Sequence, residues 1–394
     1  MKLRPFITCS IFLVLVAVAW FKVDWSYSAL KLYMATSQPL GVGEPPHQES
    51  NGEVTFKATA ITDQLSMPWS FAFMPGGDIL ISERPGTVQR LEPVSGTLTP
   101  VTGVPEVYHK GQGGLLDIAL HPDFPAQNWV YLTYSLPLAE KESTTRLVRA
   151  RLLDNALHEL EVLYTAKPAQ STRKHFGSRL LFDGPYLYMT MGERGHREYA
   201  QKLDNDLGKV LRFTRSGGIP TDNPFVEIAD ARPAIYSYGH RNPQGLARHP
   251  DGSLWVTEHG PQGGDELNQL KPGANYGWPV ITYGEEYGGG EIGEGTAKAG
   301  LEQPVHYYVP SIATGGLAFY DGAAFPAWQG NALIAALRAF HLNRVEIGSN
   351  GDTSEFRLLS DLSLRVRDVK VGPQGHIYVL SEQGSLIKLQ PVGG

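Results

Sequence analysis

Short apolar or alternating segments, each introduced by a turn, repeat along most of the chain. Valine, isoleucine, tyrosine, tryptophan and threonine dominate these segments and turn residues bound them, so we predict that they are β-strands. The segments are DILISE, WVYLTY, PYLYMTMGE, SLWVTEHG, ALIAAL and HIYVLSE. The turns that introduce them lie at 75–77, 121–123, 183–184, 249–252, 320–322 and 372–375. Beyond the N-terminal region, no segment has a helical pattern longer than two turns.

The number and spacing of these units predict an all-β fold, a six-bladed β-propeller. Successive turns lie roughly 45 to 70 residues apart, which is the spacing of propeller blades with loops of varying length. The alternating segment Val54–Ala60 precedes the first unit. We predict that it pairs with the last blade, because closing the ring in this way removes free sheet edges. A β-sandwich, or two smaller β domains, remains the alternative.

The first residues differ from the rest of the chain. Lys2 and Arg4 precede an apolar run from Phe6 to Phe21, which is typical of an export signal. The run is short for a membrane span, which needs about 20 apolar residues. A cleaved signal and an uncleaved anchor therefore both remain open. In either case the sequence predicts an exported, periplasmic protein whose membrane contact is limited to this segment.

These patterns divide the chain into three parts. We predict a signal peptide or membrane anchor at 1–21, a linker at 22–52 and the propeller domain at 53–394. The linker assignment rests on the polar, proline- and glycine-rich stretch from Gly41 to Asn51.

Charge and cysteine content narrow the function. The 34 lysines and arginines against 40 aspartates and glutamates give a formal net charge of −6, which argues against nucleic-acid binding. The single cysteine, Cys9, lies in the N-terminal apolar run, so the remaining chain has no disulfide or thiolate metal site. The segment GGGEIG at 288–293 fits a dinucleotide-binding pattern formally. It lacks the strand before it and the helix after it that such a site requires, so we predict a loop.

Polar clusters flanked by glycine stand at the predicted strand ends and in the loops beside them. In a propeller such loops converge on the mouth of the central channel. Each cluster alone is also typical of an ordinary turn. They are GQGG at 111–114, KHFG at 174–177, GERG at 192–195, GHRNPQG at 239–245, EHGPQGGDE at 258–266 and RVRD at 365–368.

Taken together and in order, these clusters resemble a known family. The chain is similar to the soluble quinoprotein glucose dehydrogenases, and among related enzymes to the bacterial aldose sugar dehydrogenases. The similarity extends from about Pro68 to Leu389. It passes through GQGGLLDIALHPDF, HFGSRLLFDG, YGHRNPQGL, TEHGPQGGDELN, ANYGWP and RVRDV. The resemblance implies an enzyme that uses pyrroloquinoline quinone and calcium to oxidise aldoses to lactones.

The resemblance also implies roles for individual residues. His175 corresponds to the catalytic base, which takes the proton of the anomeric hydroxyl while hydride moves to the quinone. Glu193 stands where the family often has an acidic residue, which would orient this base and raise its basicity. Gln112 and Arg241 would contact cofactor and substrate, with Arg241 polarising the quinone oxygen. Asn242 would also touch the cofactor.

The three carboxylates of the quinone require fixed cations. Arg365 and Arg367 are two residues apart, so on a strand they would share one face, and guanidinium groups suit carboxylates. Arg338 matches the third basic position of the family, where the glucose dehydrogenases usually have lysine, which puts its contact geometry in doubt. A solvated charged face is the alternative interpretation of these arginines.

The calcium of this family is held largely by backbone carbonyls, and the matching positions here are Gly260 and Pro261. Asp265, Glu266 and Tyr276 match residues around the family's further calcium sites. Because Asp265 and Glu266 are adjacent, a surface acidic turn is the alternative for this pair.

Departures from the family pattern affect the expected partners. His259 replaces a glutamine expected beside the cofactor. Long insertions of the dimeric glucose dehydrogenases are absent, which implies an open site, a broad choice of sugars and a monomer. The expected partners are a sugar and an external electron acceptor. Two other functions compete with this one: a calcium-dependent lactonase or esterase, and a propeller that only binds.

Overall fold

The structure is a computed structural model, and it describes residues 40–50 and 54–392. Within these ranges the regular structure consists of β-strands and five short 3-10 helices. The helices are Ala139–Lys141, Arg197–Gln201, Pro326–Trp328, Ser360–Leu362 and Pro373–Gly375.

The strands form six sheets, which we number as blades 1 to 6 in chain order. Blade 1 contains β3 (Pro68–Phe73), β4 (Ile79–Glu83), β5 (Thr87–Glu92) and β6 (Thr97–Val101). Blade 2 contains β7 (Leu115–Leu120), β8 (Trp129–Pro137), β9 (Ser143–Leu153) and β10 (Ala156–Thr165). Blade 3 contains β11 (Leu180–Asp183), β12 (Tyr186–Met191), β13 (Lys209–Thr214) and β14 (Ile235–Tyr238).

Blade 4 contains β15 (Pro243–Arg248), β16 (Leu254–Glu258), β17 (Asp265–Leu270) and β18 (His306–Tyr308). Blade 5 contains β19 (Thr314–Phe319), β20 (Ala332–Ala336), β21 (His341–Ile347) and β22 (Thr353–Leu358). Blade 6 contains β23 (Val366–Val371), β24 (Ile377–Ser381) and β25 (Leu386–Pro391), together with β2 (Thr55–Thr62) and β1 (His47–Ser50). The long connection between β17 and β18 contains no strand or helix, as predicted for the glycine-rich segment 288–293.

The first strands of the six blades form a closed ring around the central axis. Strand β3 contacts β7, β7 contacts β11, and the series continues through β15, β19 and β23 back to β3. The predicted six-bladed propeller is therefore confirmed, and a sandwich or a pair of smaller β domains is excluded. The six segments predicted from the sequence are the second strands of their blades, β4, β8, β12, β16, β20 and β24.

These second strands are apolar because sheets cover both of their faces. All five residues are buried in β4, β16 and β20. Between blades 1 and 2, for example, Leu80 and Val88 pack with Leu132 and Val148, and all four are essentially inaccessible to water. Apolar area removed from water in this way is the main favourable contribution to folding.

The ring is closed by an N-terminal strand. β2 pairs antiparallel with β25, with Ala58 opposite Leu389, and this confirms the closing role predicted for Val54–Ala60. Phe56 on β2 packs edge-on against Trp328 of blade 5, with ring centroids 5.9 Å apart.

The preceding residues add a further strand, since β1 pairs with β2 along His47–Ser50. The linker predicted for 22–52 is therefore wrong for its last described residues, because their backbone groups extend the sheet. The segment predicted at 1–21 lies outside the described residues. Within the described ranges, no helix is long and apolar enough to cross a membrane.

A buried ion network ties the blades together at the axis. Arg179, just before β11, lies 3.1 Å from Asp368 on β23 and 3.4 Å from Asp117 on β7. Its guanidinium also covers the ring of Trp69, 4.2 Å from the ring centroid. Because burying an unpaired charge is costly, this network favours the one arrangement of blades in which all three charges meet.

Candidate active site

Most of the polar clusters identified in the sequence meet at one end of the propeller. In each blade the strands are antiparallel, so the start of the first strand and the end of the second strand lie at the same end. His175 and Arg241 precede first strands, whereas Glu193 and His259 follow second strands. The chain connectivity therefore places these side chains on one rim, although they are distant in sequence.

His175 and Glu193 form a buried pair at this rim. The imidazole Nδ1 lies 2.9 Å from Glu193 Oε1, and the exposed fraction of His175 is 6%. The other carboxylate oxygen of Glu193 accepts a hydrogen bond from the Gly195 amide. In the described part of the chain, Nε2 of His175 has no hydrogen-bond partner. The predicted base and its predicted acidic partner are thus brought together.

The backbone at His175 is held in an uncommon conformation. Its φ of 55° is in the left-handed region, which is unfavourable for a residue with a β-carbon. The side-chain oxygen of Gln112 accepts a hydrogen bond of 2.7 Å from the His175 amide. On the other side, a β-carbon at Gly192 would lie 2.2 Å from the His175 carbonyl oxygen, so only glycine fits there. Neighbouring loops therefore maintain the strained conformation that aims the imidazole.

The environment sets the charges of the pair. Burial lowers the pKa of His175, and the hydrogen bond and charge of Glu193 only partly offset this effect. Burial acts to raise the pKa of Glu193, but the hydrogen bond and charge of His175 outweigh it, so that pKa is lowered. At neutral pH the carboxylate is therefore ionised and the imidazole is neutral. Because a carboxylate only accepts, Nδ1 carries the proton and Nε2 is left as a proton acceptor.

Arg194 supports the loop that carries His175, a role that the sequence did not predict. Its guanidinium donates hydrogen bonds to the carbonyls of Lys174 and Thr172, at 3.0 and 2.6 Å. It also stacks on the ring of Phe176, 3.7 Å from the ring centroid. A buried arginine with this many acceptors fixes the residues on both sides of His175.

Arg241 lies beside this pair, and Glu258 positions its backbone. The Arg241 amide donates a 2.7 Å hydrogen bond to Glu258, whose other oxygen lies 2.8 Å from His240 Nδ1. The guanidinium donates to the carbonyl of Gly260 at 2.8 Å and lies over the Trp278 ring, 5.2 Å from its centroid. The Arg241 Nε is buried and has no hydrogen-bond partner.

Asn242 lies under the His175 loop. Its side-chain oxygen accepts hydrogen bonds from the Gly177 amide at 3.2 Å and from Gln244 at 3.4 Å. The structure thus shows a supporting contact for Asn242, and its predicted contact with a cofactor stays a prediction.

A cluster of arginines surrounds one acid on the neighbouring part of the rim. Arg365 and Arg367 each lie 2.7 Å from a different carboxylate oxygen of Glu382. Arg84 approaches the same acid at 3.8 Å. Burial acts to raise the pKa of Glu382, but the charges and hydrogen bonds of Arg367 and Arg365 lower it to about 2. The cluster therefore carries three positive charges against one negative charge.

Two details of this cluster differ from the prediction. Arg365 precedes β23, whereas Arg367 lies within it at a bulge, so the two arginines do not share a strand face. They converge through Glu382 instead, and Arg84 and Glu382 were not predicted at all. Arg365 also donates a 3.0 Å hydrogen bond to the Leu337 carbonyl, beside Arg338. Arg338 itself is exposed, and among the described residues its side chain has no hydrogen-bond or ion-pair partner.

His259 connects the two parts of the rim. Its Nε2 donates a 2.6 Å hydrogen bond to the carbonyl of Thr314. Burial, reinforced by the charges of Arg241 and Arg367, lowers the pKa of His259 to about 3. The imidazole is therefore neutral at neutral pH, and it adds no charge between the two arginines.

The residues predicted as metal ligands fall into two groups. Gly260 and Pro261 lie at the rim, where the Gly260 carbonyl accepts the hydrogen bond of Arg241. A small cavity, about 240 Å³ including its mouth, lies next to them and is lined by Glu258, Glu266 and Tyr276 among others. Burial and the charge of Glu258 raise the pKa of Glu266 to about 8. Two acidic side chains therefore line one small cavity.

The side-chain polar atoms of Asp265 and Tyr276 have partners within the protein, and the predicted role of these residues as metal ligands stays a prediction. The carboxylate of Asp265 accepts hydrogen bonds from the amides of Gly260 and Ala313, at 2.8 and 2.6 Å, and so holds the loop. The Tyr276 hydroxyl donates to the Gln269 carbonyl at 2.7 Å, so only its ring faces the acids. The alternative of a surface acidic turn does not hold for Asp265, because this residue is fully buried.

Comparison with known proteins shows the family of the chain. The sequence model of the family "Glucose / Sorbosone dehydrogenase" matches residues 65–388. The aldose sugar dehydrogenase YliI of Escherichia coli is 41% identical over 346 residues, which cover 86% of this chain and 93% of that protein. The chain belongs to the glucose/sorbosone dehydrogenase family. The family resemblance inferred from six ordered blocks is confirmed, and with it the assignment to sugar oxidoreductases.

Solved structures of related enzymes resemble this dehydrogenase over the whole propeller. The apo form of the soluble aldose sugar dehydrogenase from Escherichia coli superposes with a TM-score of 0.83 at 40% identity, covering 86% of this chain and all of that one. The PQQ-bound aldose sugar dehydrogenase from Streptomyces coelicolor gives a TM-score of 0.70 at 28% identity, with 88% of this chain and 100% of that chain covered.

Proposed function

We propose that this dehydrogenase oxidises aldose sugars at the anomeric carbon to lactones, with pyrroloquinoline quinone and calcium as cofactors. We further propose that it is an exported, periplasmic monomer that passes electrons to an external acceptor. The observation that carries the proposal is the buried His175–Glu193 pair, with its unpartnered imidazole nitrogen, on the same rim as a cluster of arginines. The PQQ-bound relative from Streptomyces coelicolor supports the choice of cofactor.

The rim residues fit a quinone that carries three carboxylates. Arg84, Arg365 and Arg367 exceed the charge of Glu382, so the cluster retains an attraction for anions. The Nε atoms of Arg367 and Arg241 are buried without a hydrogen-bond partner. Buried donors of this kind cost free energy unless an acceptor reaches them, and ligand carboxylates and quinone oxygens are suitable acceptors.

The side chains supply proton transfer and charge stabilisation. The His175 Nε2 accepts the proton of the anomeric hydroxyl, and the ionised Glu193 stabilises the imidazolium that results. Arg241 directs positive charge to the position where negative charge develops. Pyrroloquinoline quinone, when bound, would supply the two-electron acceptor, with calcium as a Lewis acid. Burial of the pair excludes competing water, which strengthens each of these interactions.

For calcium, the acidic cavity fits better than the rim. At the rim, the carbonyl of Gly260 accepts a hydrogen bond from the cationic guanidinium of Arg241, whose charge disfavours a second cation beside it. In the cavity, Glu258 and Glu266 face a shared space, and a divalent cation there would offset both causes of the raised Glu266 pKa, burial first and the charge of Glu258 second. Hard cations prefer such oxygen ligands. We therefore propose Glu266 as a calcium ligand, with Glu258 as its neighbour, and keep Pro261 as a candidate at the rim.

Reconstitution of the apoprotein tests the proposed function. Purified protein stripped with a chelator is given the quinone and calcium, and dye reduction is followed with a panel of aldoses. We expect activity only with both additions, and poor replacement of calcium by magnesium, which demands a smaller octahedral site. Hydrolysis of lactones or esters without the quinone would instead indicate the competing hydrolase, and neither activity would indicate a binding propeller. Full activity of the metal-free protein would contradict the calcium proposal.

Fractionation tests the location. Expression of the full chain and of a variant without residues 1–21 should place the first in the periplasmic or inner-membrane fraction and the second in the cytoplasm. Equal distribution of the two proteins would contradict the proposed export.

A further inference from the structure

Three side chains of metal-ligating types meet outside the candidate active site, where β1 runs beside the 3-10 helix Ser360–Leu362. His47 and Glu49 are two residues apart on β1, and Asp361 comes from that helix. The Nε2 of His47 lies 3.4 Å from an Asp361 oxygen and 3.7 Å from a Glu49 oxygen. The three ligand atoms all lie within 4.8 Å of one another. No part of the proposed sugar oxidation uses this cluster.

The His47 contacts lie within ion-pair distance but are longer than hydrogen-bonded ion pairs. Charge-assisted hydrogen bonds between nitrogen and a carboxylate are about 2.7–2.9 Å long. The His47 Nε2 is shielded from water but has no hydrogen-bond partner. Both carboxylates thus surround the nitrogen at distances that are too long for hydrogen bonds, and a buried polar atom in this state is costly.

The two separations measured from His47 Nε2 are close to those of two ligand atoms that share one metal ion. Zinc binds imidazole nitrogen and carboxylate oxygen at about 2.0–2.2 Å in tetrahedral geometry, so adjacent ligand atoms are about 3.3–3.6 Å apart. The Asp361 distance of 3.4 Å is in this range, and the Glu49 distance exceeds it slightly. The Leu359 amide donates a 2.7 Å hydrogen bond to the same Glu49 oxygen, which orients the carboxylate as a supporting partner does in metal sites.

The ligand set also selects the type of metal. Calcium and magnesium take oxygen ligands, in sets of six or more, whereas an imidazole with two carboxylates suits zinc and related transition metals. We propose that His47, Glu49 and Asp361 form a zinc site, with solvent completing the coordination, that fastens β1 to the entry of blade 6. This site is distinct from the proposed calcium cavity and does not depend on the proposed function.

Zinc titration of the full, tag-free chain, stripped with a chelator, tests the site. We expect calorimetry to show a zinc ion bound per chain at this site, and thermal unfolding to shift upward as zinc is added, because a ligand of the folded state stabilises it. His47→Ala should abolish this binding and the shift, and Asp361→Asn should weaken binding at least about tenfold. Calcium at equal concentration should not compete.

Matched variants separate this site from other histidines and acids. His158→Ala removes an exposed histidine elsewhere and should leave zinc binding unchanged. Glu266→Gln alters the acidic cavity and should also keep this zinc ion. Because Asp361 is exposed, Asp361→Asn remains informative even where His47→Ala fails to fold.

Three results would overturn the proposal. The first is a wild-type chain that binds no zinc under these conditions. The second is equal zinc affinity in the wild type, His47→Ala and Asp361→Asn. The third is a fall in melting temperature for His47→Ala that is the same with chelator and with zinc, since that result identifies a metal-free ion pair.

Discussion

His175 is the residue on which the proposed chemistry depends most directly. We expect His175→Ala to lower kcat by a factor of about 10² or more, which is the usual contribution of a general base. The affinity for the quinone should change little, because the neutral imidazole forms no ion pair with the quinone carboxylates. Steady-state kinetics and a quinone titration measure the two quantities, with His158→Ala as a control. Near wild-type turnover in His175→Ala would remove this residue from the mechanism.

The Glu193 carboxylate should set the pH dependence through His175. The base works when neutral, so kcat/KM should fall as pH drops through the His175 pKa, which burial places below its ordinary value. Glu193 raises that pKa by stabilising the imidazolium. Removing its charge in Glu193→Gln should therefore move the acid limb to lower pH and lower the plateau. A limb that stays in place, or moves upward, would show that Glu193 does not act on the base.

Site residues could be predicted from the sequence where they belong to a recognisable motif. They could not be predicted where only the folded structure brings them to the site. His175 and Glu193 could be singled out because each stands in a glycine-flanked cluster matching a family pattern. Arg84 and Glu382 could not, since each directly follows an ordinary apolar strand. Their importance arises only when separate blades bring them to one rim. A charged residue directly after an apolar second strand is the signal that would have found them.

At the scale of elements, the loop before β11 depends on Arg194. We expect Arg194→Lys to lower kcat by about tenfold or more, with KM affected less, because one ammonium cannot replace several fixed donors and a stacked plane. If the substitution displaces His175 without changing its pKa, the fall of kcat/KM at low pH should stay at the same pH. Steady-state kinetics over a pH range measures this, and thermal unfolding reports the cost to stability. Unchanged kcat would refute the positioning role.

The arginine cluster spans blades 1 and 6 and should act as a unit on the cofactor. Replacing Arg84, Arg365 or Arg367 by glutamine should each weaken quinone binding by about 1.5–3 kcal/mol, the value of a charge-assisted hydrogen bond. Arg338→Gln tests whether the exposed fourth arginine joins them. Quinone titration of the apoprotein gives the affinities, and Arg248→Gln, an exposed arginine elsewhere, is the control. Unchanged affinity in all the cluster variants would rule out this binding site.

The elements themselves were predictable to different degrees. The second strand of each blade is apolar along its whole length because it is covered on both faces, and it therefore stands out in the sequence. β1 was interpreted as a linker, because HQES has neither apolar alternation nor β-branched residues. It forms through backbone pairing with β2 at a sheet edge, where side-chain burial gives little signal.

At the scale of the whole molecule, β2 determines whether the ring is closed. We expect a chain that starts at residue 65, without β1 and β2, to unfold at a lower temperature and to aggregate, because β25 then exposes a free edge. A chain that starts at residue 54 keeps β2 and should remain monomeric and folded. Thermal unfolding and size-exclusion chromatography compare the two. Equal stability of both chains would show that blade 6 does not need its N-terminal strand.

Because β2 pairs with β25, the ring of blades can close only after the last strand has been synthesised. A ribosome releases β2 early, but its partner follows roughly 320 residues later. At about 5–20 residues per second, the N-terminal strand waits on the order of 15 to 65 s for the strand it must meet. Until then blade 6 cannot be completed, and the growing chain stays open. The edge of blade 6 therefore stays unpaired until the last strand is made.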